Sequence, residues 1–352
     1  MSPAATRAAG FSVVLGTSDG ERRTLCCGPA MTVLHAAEEA GMILPSLCQS
    51  GSCGSCLAEV SAGEFLLGSH SEQALGRRAP PGATLLCRTY PRSDCTIALP
   101  YESARIGDSL PAVRGATIAR LEPVARATVR LELSLAPAAD GSPGAEFDAG
   151  QVVALQLPGC PWKRVYSLAN TANWDGSLEF YIRLQPNGLF STYLSKTAAV
   201  GDALIVHGPQ GAFGLRENGM RPRWFVGGGT GVAPLLSMLR RMAEWGDPQP
   251  ARLYAGFNDE DEVFGTDLFD DLAAEFPDFT VEICVWRPIG GSWAGYVGTP
   301  VDALTRDLAS QQLQTPDVYV CGPPALIDAA ADSLTAHGVP TTQIFSKRIT
   351  AN

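Results

Sequence analysis

The sequence predicts a multidomain chain, α+β at the front and α/β at the back, with a strand-rich antiparallel barrel between them. Three observations carry this. The chain has 352 residues, against roughly 100–200 per domain. Its texture changes twice along its length. Only the last third alternates buried strands with helices.

The front region, to about Tyr101, opens on alternating residues around Phe11-Ser12-Val13-Val14-Leu15 and a hairpin signal at Ser18-Asp19-Gly20. A short helix is predicted from Thr32 to Ala40, with Thr32 as N-cap and Gly41 just past its end. The middle region, Val113 to Leu215, is punctuated by turn signals at Ala139-Asp140-Gly141, Pro158-Gly159, Trp174-Asp175-Gly176 and Pro186-Asn187-Gly188. Short strands at that spacing suggest an antiparallel barrel. From Arg221 onward, Trp224-Phe225-Val226, Leu253-Tyr254-Ala255, Val281 to Trp286 and Val318-Tyr319-Val320 read as buried strands. A helix between the first two puts Val232, Leu235, Leu236, Leu239 and Met242 on one face. This is the pattern of a parallel sheet. The expected domains are 1–104, 113–216 and 217–352, with Ser103 to Pro111 as a linker.

Composition narrows the function. At 45% hydrophobic and 18% charged, the chain can bury a core without disulfides. A net charge of −10 with no Lys/Arg block argues against a nucleic-acid partner. No apolar run reaches the ~18 residues that span a bilayer. Met1 to Gly10 is Ala-rich and lacks the basic-then-apolar pattern of a signal peptide, so a cytoplasmic location is expected. Ten cysteines in such a chain suggest metal or redox chemistry.

Cys48, Cys53 and Cys56 have the spacing C-x4-C-x2-C, and Cys87 follows after thirty residues. This is the plant-type [2Fe–2S] ligand pattern. Three thiolates converge from one tight loop, in which Gly51 and Gly54 permit the turn and aim backbone N–H groups at the sulfurs. A zinc site is the alternative, but only Cys53/Cys56 form a C-x2-C pair. Cys26, Cys27, Cys95, Cys160 and Cys284 are expected to pack as small apolar residues.

Arg164-Val165-Tyr166-Ser167 reads as a strand, with Arg164 and Tyr166 on one face. Tyr166 could stack on a flavin ring, Arg164 could meet a pyrophosphate and Ser167 could bond the flavin edge. The string alone is a weak signal, since an Arg and a Tyr on a strand are usually surface and core. Downstream, Gly188-Leu189-Phe190-Ser191-Thr192 opens a helix, and a helix N-terminus suits phosphate. Helix capping by Ser191 and Thr192 is compatible with that.

Gly227-Gly228-Gly229-Thr230-Gly231-Val232-Ala233-Pro234 follows a strand and opens a helix. It departs from G-x-G-x-x-G, yet a glycine turn there allows close approach of a nucleotide. Asn258-Asp259-Glu260 follows the next strand, where acidic residues favour a free ribose 2′-hydroxyl and so NADH. A merely solvated acidic turn is the other reading. Cys321-Gly322-Pro323 lies at the carboxyl end of a strand, where open α/β sheets bind ligands.

Together these motifs resemble the ferredoxin–NADP reductase superfamily, in the branch with an N-terminal ferredoxin domain: reductases of bacterial multicomponent oxygenases, above all the soluble methane, alkene and alkane monooxygenase group. The resemblance covers nearly the whole chain. It rests also on Leu85-Leu86-Cys87-Arg88-Thr89-Tyr90-Pro91, Leu99-Pro100-Tyr101 and Asp317-Val318-Tyr319-Val320-Cys321-Gly322-Pro323-Pro324. It implies a β-grasp [2Fe–2S] ferredoxin domain, a six-stranded antiparallel FAD-binding β-barrel and an NAD-binding parallel α/β domain. It further implies flavin contacts from Tyr181, Ile182, Arg183 and Thr230, and a place for Cys321 beside the nicotinamide. The tail Ile344-Phe345-Ser346-Lys347-Arg348-Ile349 departs from relatives that end in an aromatic pair and Glu-Lys-Phe. Phe345 can still cover the flavin, while Lys347 stands at the acidic position.

The expected function is electron transfer from NADH to FAD to the [2Fe–2S] cluster, and on to the hydroxylase component of a soluble diiron monooxygenase. A Rieske ring-hydroxylating dioxygenase is the alternative partner. A non-catalytic electron carrier or redox sensor, and a zinc module fused to a flavin reductase, are the readings from other classes.

Overall fold

A computed structural model describes residues 10–76, 79–217, 219–290, 293–310 and 315–349. The chain packs as two compact units, Met1–Pro111 and Ala112–Asn352.

In the smaller unit, alternation and the Gly20 turn (φ 88°) form the hairpin of β1 (Phe11–Gly16) and β2 (Arg22–Cys27). Helix α1 (Val33–Glu39) starts where the Thr32 hydroxyl accepts the His35 N–H and stops before Gly41, at φ 75°. There follow β3 (Leu57–Ala62), β4 (Phe65–Leu67), α2 (Glu72–Leu75), β5 (Ala83–Leu85), β6 (Thr89–Pro91) and β7 (Cys95–Ala98). The sheet order is β2-β1-β7-β3-β5, with β1 and β7 parallel, and β4 pairs separately with β6. This is the β-grasp arrangement. The expected linker is shorter than the sequence suggests. Ser103 donates its N–H and hydroxyl to Asp19, and Ile43 and Gly107 exchange backbone hydrogen bonds, so 103–107 belongs to this unit.

The larger unit begins with β8 (Val113–Ala125), β9 (Thr128–Leu135), β10 (Val152–Gln156), β11 (Arg164–Ser167), β12 (Ser177–Arg183), α3 (Leu189–Lys196) and β13 (Ala203–Gln210). These strands form one antiparallel sheet in the order β11-β10-β13-β8-β9-β12. Its two edges are drawn together: just past β11, Ala169 donates its N–H to Glu179 O of β12, at 2.9 Å. Leu131, Leu133, Leu155, Phe180 and Phe190 fill the barrel.

The rest alternates: β14 (Arg223–Gly228), α4 (Val232–Trp245), β15 (Ala251–Phe257), α5 (Thr266–Glu275), β16 (Phe279–Val285), β17 (Tyr296–Val297), α6 (Pro300–Ser310), β18 (Asp317–Gly322), α7 (Pro324–Ala336) and β19 (Ile344–Arg348). All pairings in the sheet β17-β16-β15-β14-β18-β19 are parallel. The strands read as continuous apolar runs because helices cover both faces. Phe225, Tyr319 and Cys321 face α4 and α5, while Trp224, Val226 and Val320 face α6 and α7. Ala169 and Tyr181 of the barrel region join the α4/α5 core, which makes barrel and α/β sheet one body.

Candidate functional sites

The pairing of β3 with β5 places Cys56, just before β3, beside Cys87, in the turn after β5. Their sulfurs lie 3.4 Å apart. Cys48 and Cys53 come from the loop between α1 and β3. The Cys48 sulfur accepts the N–H groups of Ser50 and Ser52, each at 3.4 Å. Hydrogen bonding from the Cys53 thiol, aided by the hydroxyls of Ser50 and Ser52 and the Ser50 N–H, outweighs burial and lowers the Cys48 pKa to about 3. Cys53, giving its proton to Cys48 and buried, shifts the other way. Cys56 and Cys87 divide in the same manner, Cys56 raised and Cys87 lowered by their shared proton.

Two glycines let the loop fold this tightly. At Gly54 (φ 74°) a Cβ would lie 2.7 Å from Ala74 O, and at Gly51 (φ 76°) one would lie 2.9 Å from Arg88 Cγ. The Tyr101 hydroxyl is buried and has no hydrogen-bond partner among the described residues. It is near enough to Cys56 for that charge to add to burial in raising its pKa. The sulfurs thus stand as two pairs, Cys48 with Cys53 and Cys56 with Cys87, with backbone donors aimed at Cys48, and this thiolate donor set suits a [2Fe–2S] core, whose ferric ions take up thiolate charge. The other cysteines differ from a uniform core. Cys27, Cys95 and Cys284 are buried, but Cys26 is exposed and Cys160 half-buried. Alternation along β2 turns Cys26 outward when Cys27 turns in.

In the larger unit the Arg164–Ser167 string is an edge strand, with Ser167 opposite Val152 and Val165 opposite Ala154. Tyr166 packs on Phe190 of α3, ring centroids 5.6 Å apart, so the structure unites this strand with the start of that helix. The Arg164 guanidinium lies over Trp162, 5.5 Å from its centroid. Gly188 is the N-cap, and Thr192 N–H bonds its carbonyl at 2.7 Å. Ser191 accepts the Gln185 N–H at 2.9 Å, Phe190 fills the core and Leu189 is exposed. On β12, Ile182 points into the barrel, Tyr181 stacks on Phe264 and Arg183 pairs with Glu262.

The glycine loop lies against the end of β18. Gly227 is in register with Cys321. A Cβ on Gly231 would lie 2.2 Å from Cys321 O, and one on Gly228 3.2 Å from Pro323 Cδ. Gly229 (φ 53°), Thr230 and Gly231 form the turn into α4, and a Cβ on Gly322 would lie 3.3 Å from Gly228 N. Cys321 is fully buried, and burial pushes its thiol up to about 12.

The sixth strand, β19, was not expected from the sequence. It places Phe345 opposite Tyr319 and Lys347 opposite Cys321. Phe345 stacks on Tyr319 at 5.0 Å, and Lys347 reaches the barrel side, donating to Gly150 O at 3.2 Å. The Asn258–Glu260 turn is heavily engaged. Asn258 donates to Glu262, Asp259 pairs with Arg126, and Glu260 accepts the N–H groups of Ile289 and Gly290. The sequence offered no basic residue in this turn; the fold supplies Arg126 from the β8–β9 hairpin.

Three families match in succession: the 2Fe-2S iron-sulfur cluster binding domain over residues 16–92, the oxidoreductase FAD-binding domain over 116–214 and the oxidoreductase NAD-binding domain over 225–332. Methane monooxygenase component C of Methylosinus trichosporium is 37% identical, across 85% of this chain and 87% of its own. The chain belongs to the ferredoxin–NADP reductase superfamily, among oxygenase reductase components with an N-terminal ferredoxin domain. This reductase is also 33% identical to the propane 2-monooxygenase reductase component of Rhodococcus jostii, over 91% of this chain and 86% of that one. The toluate 1,2-dioxygenase electron transfer component of Pseudomonas putida is 32% identical, over 95% and 97%. Among solved structures, the Amycolatopsis cytochrome P450 reductase GcoB has a TM-score of 0.72 and 29% identity, over 97% of this reductase and 99% of that chain. No helix among the described residues is long and apolar enough to cross a membrane.

Proposed function

We propose that this reductase carries electrons from NADH through FAD and a [2Fe–2S] cluster to an oxygenase component. The observation that carries the reading is the pairing of Cys48 with Cys53 and of Cys56 with Cys87 in a chain whose other unit joins a glycine loop to Cys321-Gly322-Pro323. FAD, when bound, accepts electrons as a pair and releases them singly, which nicotinamide and cluster chemistry jointly require.

The chain's own residues do the holding. The four cysteines would ligate the cluster. Arg164 to Ser167 and the start of α3 would take the flavin, with Phe345 beside it. Gly228 to Gly231 and Cys321 to Pro323 would admit the nicotinamide, and Asn258 to Glu260 would favour NADH. We assign these roles to segments 1–104, 113–216 and 217–352. Ten free cysteines suit a reducing compartment, the cytoplasm.

For the partner we favour the hydroxylase of a soluble diiron monooxygenase. The similarity to a dioxygenase electron transfer component keeps a Rieske partner as the second reading. Anaerobic absorbance titration tests the path: NADH should bleach flavin and cluster bands together, and NADPH far more slowly. Bands that neither nucleotide bleaches would turn the reading to a carrier or sensor. Turnover with purified oxygenases of each type decides the partner.

A further inference from the structure

Beyond the cofactor contacts, one buried charge joins the two halves of the larger unit. Along β12, Leu178, Phe180 and Ile182 enter the barrel core, so Glu179, Tyr181 and Arg183 share the opposite face. Glu179 is only 5% exposed. One carboxylate oxygen accepts the Tyr181 hydroxyl at 2.8 Å and lies 3.0 Å from Arg130 Nε, whose N–H is not aligned on it. The other oxygen accepts Arg240 Nη1 of α4 at 2.5 Å.

Arg240 does not act alone. Its Nη1 also bonds Ala169 O at 3.0 Å, Ser237 Oγ bonds Asn170 O at 2.7 Å, and Thr171 Oγ1 donates to Glu244 at 2.6 Å. Ser237, Arg240 and Glu244 lie on one face of α4. That face is fastened to Ala169–Thr171, the stretch that begins two residues after Ser167. The Asn170 side chain returns the link by accepting the Glu179 N–H at 3.0 Å. Thus α4, which begins at the glycine loop, is tied directly to the end of the candidate flavin strand.

We propose that Glu179 is a positioning residue for hydride transfer: through Arg240 it fixes α4, and with it the nicotinamide loop, against the Arg164–Ser167 strand. The inference rests on the electron path proposed above. It explains why a buried charge is kept at this contact between β12 and α4. An apolar contact lets a helix slide along a strand, whereas this pair has one register. Placement matters because an error of about 1 Å costs a transfer reaction roughly 100-fold.

The test compares wild type, Glu179→Gln, Arg240→Met and the double variant, each reconstituted with FAD and cluster. Rapid mixing with saturating NADH reads flavin bleaching, while FAD retention, melting temperature and amide exchange at Ala169 are read in parallel. We expect bleaching slowed about tenfold to 100-fold, with the KM for NADH and FAD retention within about twofold, faster exchange at Ala169, and a double variant no slower than the slower single. Unchanged bleaching, strictly additive losses, or losses that only follow lost FAD would overturn the proposal. Should Glu179→Gln not fold, Arg240→Lys keeps the charge with a shorter reach. It must slow bleaching with FAD retained, and a wild-type rate in that variant refutes the clamp. Wild-type protein that fails to bleach with NADH would instead sink the electron path itself.

Discussion

Arg183 grips Glu262 with both terminal nitrogens, at 3.1 and 2.7 Å, and so joins the last residue of β12 to the turn after β15. Burial works against the Glu262 carboxylate, but hydrogen bonds from Arg183 and Asn258 and the arginine charges outweigh it and hold its pKa below the usual value. A depressed carboxylate stabilises the fold fully above its unfolded pKa, about 4.3, and loses that contribution as pH falls through the lower folded value. Glu262→Gln is expected to cost about 1–2 kcal/mol at neutral pH, discounted because both arginines are partly exposed. In urea unfolding, the gap to wild type should narrow with added salt and close under acid. A gap that persists at low pH would remove the charge from the explanation.

Arg126 changes the expectation for coenzyme choice. Asp259 occupies it, so the acidic turn presents less negative charge than the sequence suggests. Asp259→Ala removes the carboxylate and leaves Arg126 the longer contacts to Glu262 (3.5 Å) and Asp261 (3.7 Å), from which its guanidinium can turn to a 2′-phosphate. The kcat/KM for NADPH relative to NADH should rise about tenfold, worth about 1.4 kcal/mol. An unchanged ratio would show that the ribose is read elsewhere.

Gly54→Ala should fail at cluster loading. The new Cβ meets a backbone carbonyl, not a flexible side chain, in a left-handed residue. Strain of about 1–3 kcal/mol falls on the loop that carries three ligands. Iron content and visible absorbance should drop as in Cys53→Ser, while flavin content stays at the wild-type level. Full iron in the alanine variant would mean that the loop can relax around α2.

Hydrogen bonds from Thr17 and Ser103 lower the Asp19 pKa to about 2 and keep it ionised in mild acid. The protease that cuts after acidic residues should therefore open the connection at Asp108, while trypsin spares Arg105. Asp19→Asn should make Arg105 cleavable. Mass spectrometry of the fragments separates the two sites, and early cleavage at Arg105 in wild type would contradict the anchoring of Ser103 on Asp19.

The fold was legible where periodicity was strong. The continuous apolar runs of β14, β15 and β18 and the apolar stripe of α4 each mark one element. The cysteine spacing and the glycine loop announced their sites because few other jobs need those residues. What stayed hidden is long-range. Glu179 and Arg240 are sixty-one positions apart, and nothing local distinguishes them from surface charges. The outward triplet Glu179, Tyr181, Arg183 was the available signal, because polar residues on the outer face of a barrel strand can equally meet solvent or a neighbouring domain. Strand β19 was obscured by Ser346, Lys347 and Arg348, polar residues that an edge strand accepts.

In the smaller unit, β1 and β7 run side by side, Val13 against Cys95 and Gly16 against Ala98. The segment that opens this unit is thus held beside the one that nearly closes it. A unit whose first and nearly last strands are hydrogen-bonded neighbours closes its own sheet, and can be spliced, as a gene fragment, ahead of or behind another protein without being unravelled. Such a cartridge can change hosts through recombination, and a host can lose it and draw on a separate carrier instead.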